Sequence, residues 1–596
     1  MAAAAQLIVQ IRPQFSSSSS SSFHPSPMAS MQKGSPLSPQ VAKVSSPHHN
    51  PPFQKWTIPL NHSLLPTSIP ADSESTHLTD KMSIEYGREM KTLRHLISET
   101  AEIDPLERLN MIDAIQRLGI DHCFREEIEA ILQTQYTIVN HPLAPRSGLH
   151  EVALCFRLLR QHGHFVSADV FESFMDKEGH LGKEVREDIE GLTALYEASQ
   201  LCLPQEDKLE KIGNLSGHML KISIGNLDDH WANHVISNTL ANPFHKSLAN
   251  FLVKNYFGFE DYHLRATNKW IYVFQKMAKL EFNRVQSIHQ QEISQLSRWW
   301  GQTGLSKELE FARDQPLKWY ICSLAFLTDP IFSEERVDLA KSLSFIYLVD
   351  DIYDLYGSLE QLRLFTKAIQ RWDLAAIDNL PHSMKICYIK LYETTNEISN
   401  KFFQKHGWNP INSLQKSWAT LCDAFLVEAE WFASGNLPSA KEYLRNGALS
   451  CGVHVVLAHI FFLLGQGINK QTELLLDSNP GIVSSTATIL RLCDDLGSAK
   501  DENQEGYDGS YIECYMKENP EICLDSTRQR VKHMISDAWK RLNHESLSPN
   551  QFPRTFIQAS QNIARFVPLL YGYDENQNLP TLEELMKYVL YESVQI

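Results

Sequence analysis

From about residue 80 onward, apolar residues return at intervals of three and four, as in IEAILQTQY (128–136) and HEVALCFRLLRQHG (150–163). That period marks one face of an α-helix, whereas the alternation of a half-buried strand bounded by turn pairs is scarce. The pattern therefore predicts an all-α chain. No internal repeat of fixed period is present, which argues against a helical solenoid. At 596 residues and 43% hydrophobic, the chain can bury more than one core. The helical pattern breaks near NLDDHWANH (226–234) and VKNYFGFEDYHL (253–264), ahead of the long run KMAKLEFNRVQSIHQQEISQLSRWW (276–300). We therefore expect a domain boundary near residue 270, dividing 56–270 from 271–596.

The first fifty residues have a different character. They hold no Asp or Glu, a serine run from Ser16 to Ser22, and only Arg12, Lys33 and Lys43 as strong bases. The first acid is Asp72. This is the composition of a transit peptide, so residues 1–55 are expected to be disordered and to address the full-length chain to a plastid. A form starting downstream, for example at Met82, would stay in the cytosol. A net charge of −16 argues against a nucleic-acid binder, which needs clustered Lys and Arg against phosphates. The ten cysteines lie singly, without CxxC pairs, as suits a reducing compartment. No apolar run reaches the roughly 20 residues of a membrane span. The nearest, GVHVVLAHIFFLLG (452–465), carries two histidines and reads as a buried helix.

Two acidic stretches stand out. FIYLVDDIYDLYG (345–357) climbs from an apolar run into Asp350, Asp351 and Asp354. On a helix, Asp350 and Asp354 would share a face, and like charges at that spacing oppose folding. LRLCDDLGSAKDE (490–502) places Asp494, Ser498 and Glu502 at i, i+4 and i+8, one oxygen-bearing stripe over two helical turns. Carboxylates and a hydroxyl are hard ligands that suit Mg²⁺ or Mn²⁺, and Mg²⁺ sites combine few carboxylates with waters and substrate phosphates. Either stretch alone also fits a solvated helix face. Together, each preceded by an apolar segment (LSFIYLV and GIVSSTATILRL), they point to two helices clamping a diphosphate between metal ions.

At these residues the sequence resembles the plant terpene synthase family. DDIYD looks like its aspartate-rich motif and DDLGSAKDE its second metal motif, (N/D)DxxSxxxE, at a similar separation. The resemblance implies two all-α domains: a helical, barrel-like N-terminal domain without chemistry of its own, and a C-terminal class I terpenoid synthase domain. By the same resemblance, Asp350, Asp354, Asp494, Ser498 and Glu502 would hold three Mg²⁺ or Mn²⁺ ions, with Asp351 behind them. Arg313 and Arg491 would bind the departing diphosphate, and Lys500 could reach it too. The chain departs from the family pattern at Gln315, where a second arginine is expected after Arg313. KWTIPLNHSLLP stands where cyclising monoterpene synthases carry a tandem arginine. NLDD (226–229) lacks the first acid of a DxDD motif.

These departures resemble the subfamily that makes acyclic terpene alcohols, the linalool and nerolidol synthases, as do LERLNMIDAIQRLGID and DENQEGYDGSYIECYMKE. The implied reaction ionises geranyl or farnesyl diphosphate and captures the allylic cation with water at its tertiary carbon. Aromatic faces would hold that cation, with Trp299 or Trp300, Phe345 and Tyr571 as candidates. Gly447, Ser450 and Gly452 mark a helix break, read either as packing or as a kink that turns carbonyls toward the cation. We expect a monomer. The alternatives are a cyclising mono- or sesquiterpene synthase, a prenyl-chain-elongating enzyme, which would carry two DDxxD motifs, and a non-catalytic helical scaffold. No GxxxxGK loop or HExxH zinc motif is present, and GQGIN (465–469) lacks the third glycine of a dinucleotide fingerprint.

Overall fold

The computed structural model describes residues 85–97, 104–139, 148–176, 181–224, 230–257, 270–501, 509–547, 549–571 and 582–596. Residues 1–55, KWTIPLNHSLLP, NLDD and Glu502 lie outside them, as do the side chains of Ser498 and Lys500. Among the described residues the chain is helical, with no strand and one isolated bridge between Met175 and Leu181. All ten cysteines are free.

In the N-terminal half, α1 (Leu149–Gln161), α2 (Ile189–Ser199) and α3 (Asp207–Ile224) pack together in sequence order. Their apolar stripes, including Phe156, Leu158, Leu195 and Ile212, meet in one core. The first turns of the long helix α4 (Trp270–Thr303) belong to that same core through Trp270, Phe274 and Met277. The Trp270 indole donates to Glu107 at 3.1 Å. Farther along, α4 packs on α5 (Pro316–Phe326) and α6 (Ser333–Asp351). There the fully buried Arg336 donates to both oxygens of Glu292, at 2.8 and 2.6 Å. Arg336 also caps the carbonyls of Leu327 and Asp329. Residues 71–596 form one compact unit.

The C-terminal half places α6 at its centre. Nearly every residue from Arg336 to Asp351 is buried, the signature of a helix surrounded by others. Against it pack α4, α5 and α10 (Val453–Leu464), while α7 (Leu359–Arg371) packs on α8 (Ile411–Ser434), α8 on α9 (Ala440–Ser450) and α10, and both α9 and α10 on α11 (Gly481–Asp501). Behind α11 pack α12 (Leu524–Leu547) and α13 (Arg554–Tyr571), and α14 (Leu582–Tyr591) returns to α4. The α9–α10 region, 440–464, is apolar and long enough to cross a membrane by composition. However, 67% of its most apolar window is buried in the protein, and the chain breaks at Gly452, whose φ of +75° suits glycine. GVHVVLAHIFFLLG is therefore a buried helix, as its histidines suggested.

Candidate active site

The first acidic motif ends α6. Asp350 and Asp351 occupy its last turn, and the chain then enters a π-helical turn, Ile352–Tyr356, closed by the Gly357 N–H on the Ile352 carbonyl at 2.9 Å. The motif is thus not one uninterrupted α-helical face: Asp354 sits on the wider i→i+5 turn, and such turns concentrate at functional sites. Asp350 and Asp351 are buried, while Asp354 is exposed at the rim. Although its side chain reaches the surface, partial desolvation of its carboxyl and then the Asp350 and Glu428 charges push the Asp354 pKa up.

Arg313 answers the charge problem of this motif. Its backbone N–H donates to Asp351 Oδ2 at 2.7 Å, its guanidinium donates to the Asp350 carboxylate, and its Nε lies 2.8 Å from Asp351 Oδ1. The loop that carries it is fixed from behind, where the Trp300 indole donates to Asp314 Oδ1 at 2.8 Å. Gln315 then precedes α5, with its Oε1 buried and without a hydrogen bond.

The second motif lies on α11. Arg491 is buried, reaches Asp494 Oδ2 at 3.0 Å and the Gly447 carbonyl at 3.4 Å, and lies 3.7 Å from Asp495 Oδ1. A Cβ on Gly447 would meet the Arg491 Cγ and Cδ at 3.0 Å, so Gly447 makes room for the arginine and the helix break falls at Gly452 instead. Asp495 receives the Tyr443 hydroxyl at 2.8 Å and the Tyr511 N–H at 3.2 Å. It ties the motif to neighbouring helices, and burial holds its pKa up at about 6 despite Arg491. Ser498 lies on the same helix, which ends at Asp501, one residue short of Glu502.

Sequence reasoning missed Glu428. On α8 it accepts from Ser450 Oγ at 2.6 Å and Asn446 Nδ2 at 3.3 Å, while its Oε2 is buried without a hydrogen bond. Its charge bears on Asp354 on one side and on Arg491 on the other. A signal existed: Leu414, Trp418, Leu421 and Phe425 form the buried stripe of α8, and Glu428 continues it as a lone acid. Also missed were Tyr347, with the Arg313 guanidinium 5.0 Å and the Lys318 ammonium 5.5 Å from its ring centre, and Lys318 itself. Of the aromatic candidates, Phe345 and Trp300 are core residues, and Trp299 meets Phe345 edge-on at 6.3 Å. Tyr571 is the one near the motifs, its hydroxyl pKa raised by burial and then by Asp494 and Tyr347.

Buried oxygens without hydrogen bonds on Asp350 and Glu428, together with Asp354 and Asp494, form an all-oxygen donor set that fits a hard divalent cation. Two other features lie elsewhere. A cavity of about 50 Å³ sits between α4 and residues 118–122. Beside it, His122, Cys123 and Glu281 gather, but Arg284 already holds both Glu281 oxygens at 2.7 and 2.6 Å and His122 reaches Oε1 at 2.8 Å. That cluster is an ion-pair lock between the N-terminal half and α4.

Residues 301–541 match the family described as "Terpene synthase family, metal binding domain", and residues 61–240 match "Terpene synthase, N-terminal domain". An (E)-nerolidol synthase of Cannabis sativa is 49% identical, over 87% of this chain and 94% of its own. An S-(+)-linalool synthase, chloroplastic, of Arabidopsis thaliana is 44% identical, over 88% and 91%. A tricyclene synthase of Antirrhinum majus is 42% identical, over 90% and 93%. Among solved structures, grey poplar isoprene synthase in complex with three Mg²⁺ ions and dimethylallyl-S-thiolodiphosphate superposes with a TM-score of 0.79 at 31% identity, covering 87% of this chain and 98% of its own.

Proposed function

We propose, from the premise that this chain belongs to the plant terpene synthase family, that it ionises geranyl diphosphate, and farnesyl diphosphate when that is supplied, and releases linalool and nerolidol. The observation that carries the diphosphate chemistry is the pair of buried, unsatisfied carboxylate oxygens on Asp350 and Glu428, beside Asp354. Divalent cations, Mg²⁺ or Mn²⁺ and three in number as in the isoprene synthase complex, would, when bound, supply positive charge that stabilises the leaving diphosphate. Asp350, Asp354, Glu428, Asp494, Ser498 and Glu502 are the residues that would hold them.

The chain's own residues do the rest. Asp351 orients Arg313, and Asp494 and Asp495 orient Arg491, so both guanidiniums stand fixed beside the acidic motifs before substrate arrives. As the allylic C–O bond breaks, its electron pair leaves with the diphosphate, which these donors stabilise. The carbon skeleton is left as an allylic cation, and the ring of Tyr571 offers it a π face. Water then adds through oxygen at the tertiary carbon and loses a proton. The acyclic outcome draws on Gln315 and on the nerolidol and linalool synthase relatives. The tricyclene synthase relative favours a second reading, ring closure before quenching. We further propose that 271–596 is the catalytic domain, that 56–270 has no chemistry of its own, that the enzyme is a monomer, and that residues 1–55 direct it to plastids.

The reading is tested with protein lacking residues 1–55, given each diphosphate separately with Mg²⁺. Release of inorganic diphosphate together with a volatile alcohol, both abolished by a chelator, is expected. Release that survives chelation overturns it.

A further inference from the structure

Arg313 and Arg491, the two guanidiniums at the motifs, are each engaged by the protein's own carboxylates. Lys318 differs. It sits in the first turn of α5, three residues beyond Gln315, and is half-buried. Among the described residues, neither a hydrogen bond nor an ion pair holds its ammonium, which meets only the Tyr347 ring at 5.5 Å. Both motifs nevertheless lie within its electrostatic reach: burial lowers its pKa, Arg313 adds to that, and Cys322, Asp494 and Asp351 oppose it. An ammonium has three donors and no acceptor, and leaving it desolvated without an anion is unfavourable.

We propose that Lys318 is a diphosphate-binding residue, donating to the diphosphate of the bound substrate and of the released product from the first turn of α5, where its ammonium shares the Tyr347 ring with Arg313. This rests on the terpene synthase reading above and deepens it. Gln315 offers no charge in the segment that leads into α5, and its buried Oε1 without a hydrogen bond is suited to receive a donor rather than to bind an anion. One helical turn farther on, Lys318 supplies the missing cation. Unlike Arg313, it needs no release from a carboxylate to do so. The contact tightens as negative charge moves onto the diphosphate oxygens, so it stabilises departure of the leaving group more than ground-state binding.

The test measures binding of inorganic diphosphate by calorimetry in the presence of Mg²⁺, alongside kcat and KM for geranyl diphosphate. Lys318→Met keeps the length of the side chain and removes the charge. It is expected to weaken diphosphate binding about 10- to 100-fold, the range for loss of one hydrogen bond to a charged group, and to lower kcat more than it raises KM. Lys318→Arg should restore most of both, which a purely packing role would not predict. Should Lys318→Met fold poorly, wild-type protein decides the matter: Mg²⁺ with diphosphate should protect Lys318 from reductive methylation, read by peptide mass spectrometry. Unchanged diphosphate affinity in Lys318→Met, or absence of protection, overturns the assignment while the terpene synthase reading stands. Wild-type protein that neither binds diphosphate nor releases it from substrate removes that reading, and this one with it.

Discussion

At Asp350 one oxygen is taken by Arg313 and the other is left buried without a donor, and Glu428 repeats the arrangement with Ser450 and Asn446. Carboxylates are not buried half-satisfied without cause, because an unpaired buried oxygen costs about 1–3 kcal/mol. Replacing either by its uncharged shape mimic, Asp350→Asn or Glu428→Gln, should lower kcat for diphosphate release by at least about 100-fold, taking a loss of some 3 kcal/mol of transition-state stabilisation. The helical circular dichroism signal should persist. Turnover near the wild-type rate in either variant would show that its oxygen is not used. At this scale the sequence was uneven. Asp350, Asp351, Asp354, Arg313, Arg491 and Asp494 could be picked out because they recur in short motifs. Glu428 carried only a weaker signal, its place on the buried stripe of α8, since its neighbours in space, Ser450 and Asn446, lie on another helix and α8 carries no motif around it. Lys318 looked like any lysine in the first turn of a helix.

Among elements, α6 does two jobs, closing the core with one end and presenting the acids with the other. Its N-terminal part is secured to α4 by Arg336 and Glu292, both essentially inaccessible, with the Tyr320 hydroxyl donating to Glu292 at 2.7 Å. Removing one partner of such a pair leaves a buried charge uncompensated. Arg336→Met should therefore destabilise the protein by about 3–5 kcal/mol, read as a lower denaturant midpoint, whereas a change within about 0.5 kcal/mol would mean the pair is not needed. That all these elements are helices follows from the three-and-four spacing of their apolar residues. The π-helical turn at Ile352–Tyr356 was not legible, because side-chain periodicity cannot distinguish one wider turn from a continuing helix. The break between α9 and α10 was visible in Gly447 and Gly452, but only the structure separates their roles: Gly452 turns the chain and Gly447 admits Arg491.

Across the molecule, α4 couples the two halves, and the His122–Glu281–Arg284 lock lies where it meets the N-terminal core. Burial alone would lower the His122 pKa, but hydrogen bonds to Cys123 and Glu281 raise it to about 10. A histidine with a raised folded-state pKa adds stability that is complete below its ordinary value of about 6.5 and is lost as pH climbs toward about 10. The difference in denaturant midpoint between wild type and His122→Gln should therefore shrink across that window, and a difference that grows with pH would contradict the lock. The all-α architecture was legible from the sequence because it depends on pattern summed over hundreds of residues. Which atoms meet across α4 was not, since His122 and Glu281 are 159 positions apart. The central claim is that water ends the reaction before ring closure, and it is tested most directly by turning over geranyl diphosphate with Mg²⁺ in H₂¹⁸O and analysing the products by chiral gas chromatography with mass detection. Linalool carrying ¹⁸O, in excess of all cyclic products together, is the predicted result. A profile led by a ring product, or linalool whose oxygen comes unlabelled from the diphosphate, would contradict it.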